Sequence, residues 1–160
     1  MTTKGKKKAE SDTIATNRKG RHDFEIVESL EAGIALRGTE VKSLRAGHVN
    51  LSGAFARVDR DEVWLHGCSI QPYERASFES HDSRRPRKLL LHRKEIIKLS
   101  SQMNEKGLTL IALKVYWKGR RVKIEIGVGK GKANRDRRED LKKQVENREA
   151  ARAIANFNRQ

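Results

Sequence analysis

The 160-residue chain has one cysteine, two prolines, few aromatic residues and no long apolar run. The lone cysteine, Cys68, cannot form an intrachain disulfide, so we expect a reducing, cytoplasmic environment. No segment approaches the roughly 18 consecutive apolar residues of a membrane-spanning helix. The first residues, Met1 to Lys8, lack the apolar region of a secretory signal. These absences predict a cytoplasmic protein that has no membrane partner.

The sequence also lacks the motifs of common catalytic and metal sites. Its five histidines show no HxxxH or HxH spacing beside a carboxylate, and one cysteine cannot build a zinc ribbon. Residues 127–132 contain several glycines and lysines, but their spacing differs from that of a phosphate-binding GxxxxGK[ST] loop. We therefore predict a protein that is not an enzyme and needs no cofactor or metal. A hydrolase or nuclease with an unrecognised site is the weaker alternative.

What the chain has in abundance is positive charge. Lys and Arg number 36 against 21 Asp and Glu, a formal net charge of +15. Such an excess repels itself, and a polyanionic partner relieves the repulsion. Nucleic acid is the first candidate for that partner. An anionic membrane surface is less favoured, because no stretch combines a basic face with a continuous apolar face.

The apolar pattern predicts a mainly β protein. Short alternating segments follow one another through turn residues from Phe24 to Val128, with helices predicted after Gly38 and around Leu99. We expect about six antiparallel strands, with a turn at residues 31–33. Closing these strands into a small barrel removes the exposed edges of so small a sheet.

Outside this barrel the composition changes. Residues 1–13 are basic and nearly free of large apolar side chains, which predicts a flexible N-terminus. The barrel domain is expected over residues 14–130. Residues 131–160 carry charge and helix-forming residues but too few apolar positions to offset the entropy of ordering. We predict that this C-terminal tail is disordered in isolation and becomes helical against a charged scaffold.

A likeness to a known family lies in three stretches, residues 15–23, 31–45 and 87–92, and in residues 131–132 and 136–138 of the tail. In these residues the chain closely resembles the small protein B family, the SsrA-binding proteins. The resemblance implies an oligonucleotide-binding-type antiparallel β-barrel with flanking short helices. It also implies a monomeric adaptor in trans-translation. Its partners would be the tRNA-like domain of transfer-messenger RNA and the decoding centre and empty mRNA channel of stalled ribosomes. The alternative is a generic basic RNA-binding barrel, such as a ribosomal protein or an RNA chaperone.

The resemblance and the charge of individual residues assign two sets of site residues. The set predicted to contact transfer-messenger RNA is Asn17, Arg18, Lys19, Arg21, His22, Glu31, Arg45, Arg87, Lys88, Leu91 and Lys123. The set predicted to enter the decoding centre is Lys130, Gly131, Lys132, Arg135, Asp136, Arg137 and Arg138. Basic side chains in these sets can pair with phosphates, and Asn17 and His22 can contact exposed bases.

The tail departs from the family pattern at two positions. Ala133 stands where the family commonly has a lysine, and Arg135 stands where it has an aromatic residue or histidine. A stacking contact with a ribosomal base at position 135 would then be made by a guanidinium plane or be lost.

Overall fold

The structure is a computed structural model that describes residues 12–75, 80–132 and 134–158, with only the backbone described for residues 134–137. The predicted flexible segment 1–13 therefore lies almost wholly outside the described residues, as does Ala133. Over the described ranges the elements are β1 (Thr13–Thr16), α1 (Arg18–Asp23), β2 (Phe24–Ile34), α2 (Gly38–Arg45), β3 (Val49–Asn50), β4 (Phe55–Asp59), β5 (Glu62–His66), β6 (Ser69–Ile70), β7 (Arg87–Leu90), α3 (Arg93–Lys106), β8 (Thr109–Lys118), β9 (Arg121–Gly131) and α4 (Asn134–Phe157).

The main sheet closes on itself. Its seven strands run in the order β1-β8-β4-β5-β7-β2-β9, and β8 also pairs with β9. Six of these strands therefore form a ring, while β1 pairs with β8 beyond the point where β4 leaves it. The pairs with a defined register are antiparallel. The predicted antiparallel barrel is confirmed, and its closure leaves few open edges.

The barrel core is built from small and branched apolar side chains. Inward-facing residues of β5, β8 and β9 such as Leu65, Leu110 and Ile126 are almost fully buried. α3 begins after His92 and ends at Gly107, which adopts the left-handed conformation (φ 60°) that favours glycine at a helix end. Its Leu99 is buried against this core, as the apolar spacing predicted.

Two glycines of β9 lie in the barrel wall. A Cβ atom at Gly129 would lie 2.6 Å from the carbonyl oxygen of Glu25, and one at Gly127 would lie 2.8 Å from Leu113 Cδ1. Glycines that lie just before a basic tail would suggest a flexible hinge. They instead allow β2 and a core leucine to approach β9 closely.

The turn between β4 and β5 contains two residues in the left-handed region. Arg60 (φ 46°) and Asp61 (φ 62°) form a two-residue loop of the kind that favours asparagine followed by glycine. We expect Asp61→Gly to raise the free energy of unfolding by up to about 1 kcal/mol, measured by urea denaturation. The matched change Asp59→Gly, placed in the extended strand, should lower it; a similar loss from both changes would contradict this explanation.

Candidate nucleic-acid interface

The outer face of the β8–β9 hairpin carries a row of charged side chains. Strand register places Lys114 opposite Glu125, Tyr116 opposite Lys123 and Lys118 opposite Arg121. Val115 and Ile124 point the other way and are buried in the core. Because side chains alternate along a strand, the whole polar set faces outward.

Glu31 lies inside β2, next to this row, and not in a turn as the sequence suggested. The Tyr116 hydroxyl donates a hydrogen bond to Glu31 Oε2, and Lys118 Nζ donates one to Oε1 at 2.9 Å. The bond from Tyr116, then that from Lys118, lowers the pKa of Glu31, and the charge of Lys123 adds to the effect. Burial and the bond to Glu31 raise the pKa of Tyr116 above its ordinary value. Glu31 is therefore ionised at neutral pH and fixes the position of Lys118.

An open concavity of about 1300 Å³ lies beside this cluster. Four residues of the predicted RNA set line it: Glu31, Lys88, Leu91 and Lys123. Leu91 is half-buried and packs against the core, so its exposed part forms an apolar patch in the wall. Lys88 is half-exposed and pairs with Glu62 at 2.9 Å. The structure thus brings together residues that are up to 92 positions apart in the chain.

Several residues of this concavity were missed by the sequence analysis. Trp117, Arg120 and Arg121 belong to the β8–β9 hairpin, and His92 precedes α3. The signal that was available is a two-residue turn, Gly119-Arg120, flanked by cations on both sides. Basic residues at the tip of a hairpin are exposed because the turn lies at the surface, and they are therefore accessible to a phosphate backbone.

Asn17 has a structural position that differs from the predicted RNA contact. Only 3% of it is exposed. Its side chain accepts from the Gly20 amide (2.9 Å) as the N-terminal cap of α1, and it donates to the Ala112 carbonyl oxygen (2.9 Å). Both groups of the amide are thus satisfied inside the protein, so Asn17 holds α1 against β8 and does not face solvent.

The cations that follow Asn17 are presented by that short helix. Arg18 and Lys19 are exposed, and neither has an ion-pair partner among the described residues. Arg21 reaches Glu125 Oε2 at 3.5 Å, and His22 Nδ1 lies 3.1 Å from Asp23 Oδ1. Arg18 and Lys19 are therefore the most available phosphate-binding groups of this segment.

Glu125 connects the segment to the hairpin. Its Oε2 also lies 3.4 Å from Lys114 Nζ, so one carboxylate forms ion pairs with a cation of α1 and a cation of β8. The polar row of the hairpin consequently continues from the Glu31 cluster to α1. The RNA-binding residues predicted on α1 and those predicted around Glu31 therefore lie on the same side of the barrel.

Arg87 is the clearest error of the sequence-based site. It is fully buried, and Nε donates to Glu40 Oε1 at 2.8 Å while Nη1 and Nη2 donate to the carbonyl oxygens of Cys68, Arg85 and Ser83. Glu40 is equally buried and also binds Arg85 at 2.6 Å. Arg87 therefore joins β7 to α2 inside the protein and cannot reach a phosphate.

Arg45 ends α2 and is exposed. It lines a second concavity of about 450 Å³ together with Trp117, Gly119 and Arg120 of the hairpin. Trp117 and Arg120 line the first concavity as well. Arg45, predicted from its charge and expected exposure, thus lies next to the residues that line the first concavity.

The chain divides into two compact units between Lys130 and Gly131. In the second unit Lys132 Nζ binds Asp140 Oδ2 at 2.6 Å, and α4 begins at Asn134. Lys130, Gly131 and Arg138 are exposed. Arg135, Asp136 and Arg137 fall in the first turns of α4, but their side chains lie outside the described part of the chain.

α4 has no continuous apolar stripe. Its large apolar residues, Leu141, Val145, Ile154 and Phe157, are all exposed, between 48% and 80%. The helix is consistent with the predicted helical state of the tail. Its predicted disorder in the free protein stays a prediction, as does the proposed division into domains.

The described residues offer little for other kinds of site. Among them no group of three or more histidine, cysteine or acidic residues is arranged to hold a metal ion. No described helix is long and apolar enough to cross a membrane. Burial raises the pKa of the Cys68 thiol to about 11, so this thiol is protonated at neutral pH.

Comparison with known proteins decides the family. The family model described as SmpB protein matches residues 14–156, which is most of the chain. The chain belongs to the SmpB family. A relative from Chloroflexus aurantiacus named SsrA-binding protein is 54% identical over 142 residues, covering 88% of this chain and 89% of the relative. A protein of the same name from Anoxybacillus flavithermus is 51% identical over 147 residues, covering 92% and 96%.

Structural comparison agrees with this membership. A solved SmpB-family chain is 50% identical in sequence and superposes with a TM-score of 0.63, covering 75% of this chain and 85% of the other. That structure is described as "tmRNA-SmpB: a journey to the center of the bacterial ribosome". The family assignment therefore rests on sequence and on fold together, as the resemblance in the three motif stretches predicted.

Proposed function

We propose that this protein is a cytoplasmic, monomeric RNA-binding adaptor of trans-translation, without catalysis of its own. Its barrel binds the tRNA-like domain of transfer-messenger RNA. Its tail enters the decoding centre and the empty mRNA channel of a stalled ribosome. The complex thereby delivers transfer-messenger RNA, so that the nascent peptide is tagged for degradation.

The observation that carries the proposal is the convergence of Glu31, Lys88, Leu91 and Lys123 on one concavity, in a chain 54% identical to an SsrA-binding protein. Exposed cations around it, with Arg18 and Lys19 on α1, supply phosphate contacts that fix the orientation of the RNA. Glu31 is an anion, so it repels phosphates and selects for donors such as base amino groups or ribose hydroxyls. A surface that mixes cations with carboxylates favours a particular RNA shape over any polyanion.

The charge and exposure of the tail also support a role for it that is separate from that of the barrel. In the second unit Lys132 is half-exposed and Arg138 is exposed, and the large apolar residues of α4 are exposed as well. A helix of this kind gains stability chiefly from a scaffold of opposite charge, such as ribosomal RNA. Body and tail are therefore suited to two RNA partners.

We expect the full-length protein to bind the tRNA-like domain about 100-fold or more tightly than a scrambled RNA of equal length. The preference should persist between about 0.2 and 0.5 M salt, because charge-only binding weakens steeply over this range. Filter binding or anisotropy titrations with both RNAs at several salt concentrations measure it. Equal affinities that fall together with salt would instead support the generic basic barrel.

A further inference from the structure

The second concavity differs from the first in the charge of the residues that line it. It encloses about 450 Å³ between the end of α2 and the β8–β9 hairpin, and its lining is Arg45, Trp117, Gly119 and Arg120. The first concavity contains Glu31, Asp61, Glu62 and Glu95 in its wall, whereas none of the described residues that line the second is acidic. Neither Arg45 nor Arg120 forms an ion pair among the residues that the structure describes. Two arginines without an ion-pair partner and one tryptophan thus line the same space.

The geometry of Trp117 suits a stacking platform. The side chain is half-buried and packs against the barrel core, yet it lines both concavities. A ring that is already held by packing loses little conformational entropy when a planar ligand stacks on it. Gly119 (φ 64°) follows at the turn, and nothing lies within 4 Å of the position that a Cβ would take. The space next to the Cα of Gly119 is therefore open.

The two arginines supply the complementary group. A guanidinium presents planar donors that match phosphate oxygens in a bidentate arrangement. Arg45 comes from α2 and Arg120 from the hairpin tip, so they approach the space from two different elements. A volume of about 450 Å³ lies in the roughly 300–1,000 Å³ range of small-ligand sites. An aromatic face beside two guanidiniums matches a nucleotide, which has a flat base and an anionic phosphate.

We propose that the second concavity holds one unpaired nucleotide of the bound RNA, with its base stacked on Trp117 and its phosphate bound by Arg45 and Arg120. This inference rests on the proposed function, since it extends the RNA surface of the barrel from the Glu31 concavity across the hairpin tip. Trp117 and Arg120 line both spaces, so they form the wall over which the RNA strand passes. The hairpin tip would then separate one nucleotide from its neighbours.

The first experiment follows Trp117 directly. Trp64 lines neither concavity, so the full-length Trp64→Phe variant reports Trp117 alone. Adding the tRNA-like domain should quench the emission of Trp117 and protect it from iodide, because a stacked base covers the indole. Protein-free RNA of the small ribosomal subunit, which adds no tryptophan emission, forms the second arm. If Trp117 is quenched by one RNA and not by the other, the quenching RNA is the one that supplies the nucleotide. If neither RNA quenches Trp117, the proposal is overturned.

The second experiment tests the arginines. Arg45→Gln and Arg120→Gln should each weaken binding of the quenching RNA about tenfold and reduce the slope of log affinity against log salt by about 1. Arg57→Gln is the matched control, since Arg57 is exposed on β4 and lines neither concavity. Its charge change is the same, but it should leave the affinity nearly unchanged. Equal effects of all three variants would mean that only overall charge matters, and would overturn the proposal.

A third variant measures the stacking contribution. Trp117→Ala should weaken binding about 10- to 100-fold, as loss of one base–aromatic stack does, and Trp117→Phe should restore part of the loss. If Trp117→Ala does not fold, the fluorescence and arginine results still decide the question.

Failure of the unmodified protein to prefer the tRNA-like domain would refute the proposed function. Preference for that RNA together with an unaffected Trp117 and control-like arginine variants would refute only this inference.

Discussion

Replacing Glu40 by glutamine is expected to lower the free energy of unfolding by about 3–5 kcal/mol, a large part of the 5–15 kcal/mol typical of a folded domain. Glutamine keeps the shape of the side chain but removes its charge. Arg87, which is fully buried, would then be a charge without a counter-ion. The melting temperature should fall by roughly 6–20 °C, measured by calorimetry or circular dichroism.

The expected size follows from the number of donors that converge on one carboxylate. Glu40 accepts from Arg87 Nε (2.8 Å), from Arg85 Nε and Nη2 (2.8 and 2.6 Å) and from the Arg37 backbone amide (2.7 Å). These contacts join α2 to the segment that leads into β7. Loss of the negative charge weakens all of them at once, so the effect should exceed that of removing a single surface ion pair.

The pH dependence has a definite sign. Burial alone raises the pKa of Glu40, but the bonds from Arg85 and Arg37 and the charge of Arg87 outweigh it, so the pKa lies below its ordinary value of 4.5. A depressed carboxyl pKa contributes stability that is present above the unfolded-state pKa and is lost as the pH falls through the folded-state value. The difference between wild type and Glu40→Gln should therefore shrink as the pH falls below about 4.5.

A paired substitution separates structure from RNA binding. Glu40→Leu with Arg87→Met removes both buried charges and should recover most of the stability lost by Glu40→Gln. If the double variant binds the tRNA-like domain like wild type, Arg87 is not an RNA contact. A Glu40→Gln protein within 1 kcal/mol of wild type would show that the buried pair is not the main tie between α2 and β7.

A chain that ends after Lys132 is expected to lose peptide tagging on stalled ribosomes while keeping its affinity for the tRNA-like domain. The cut falls beyond β9, which runs to Gly131 and closes the barrel against β2 and β8. The interface residues of the barrel all precede it. Loss of the tail cations should reduce the affinity only slightly, by about threefold or less in 0.2 M salt, where long-range charge effects are screened.

Two measurements check this separation: anisotropy for RNA binding and a reconstituted tagging assay for ribosome rescue. A full-length variant with alanine at Asp136, Arg137 and Arg138 is the matched control, because it retains the length and helix propensity of α4. Loss of tagging in both proteins would place the determinant in these three residues. A truncated chain that no longer binds the RNA would refute the division of roles between barrel and tail.

Much of the barrel was predictable because alternation is a local property. The hairpin from β8 to β9 and the helix α3 that ends at Gly107 both follow from short-range apolar spacing. The uninterrupted β2 was not predicted, because Gly33 resembles a turn residue in sequence. In the structure Gly33 lies opposite Leu90, and a Cβ there would come within 3.1 Å of Leu90 Cβ. Close packing, and not chain reversal, explains this glycine.

The site was predictable only in part, for a similar reason. Arg87 sits in a run of exposed cations, and nothing local shows that it pairs with Glu40, 47 residues earlier. Asn17 precedes a helix of only six residues, which contains a glycine and gives no clear periodic signal for a cap. Glu31 and Leu91 came from the family resemblance and Lys123 from its charge and expected exposure, and the structure adds that the three line one concavity. Long-range pairing decided each of the errors.

Ring closure has a consequence for synthesis of this protein. β8 finds partners in β1 and β4, which are made earlier, but its pairing with β9, and that of β2 with β9, must wait until the chain has been extended through Gly131. Until then both β2 and β8 present unpaired edges, which are sites of intermolecular strand pairing. A ribosome that stopped within β9 on the message for this very protein would hold an open, aggregation-prone barrel. The barrel is thus complete only once β9 has been made, and an earlier stop leaves a nascent chain with open strand edges.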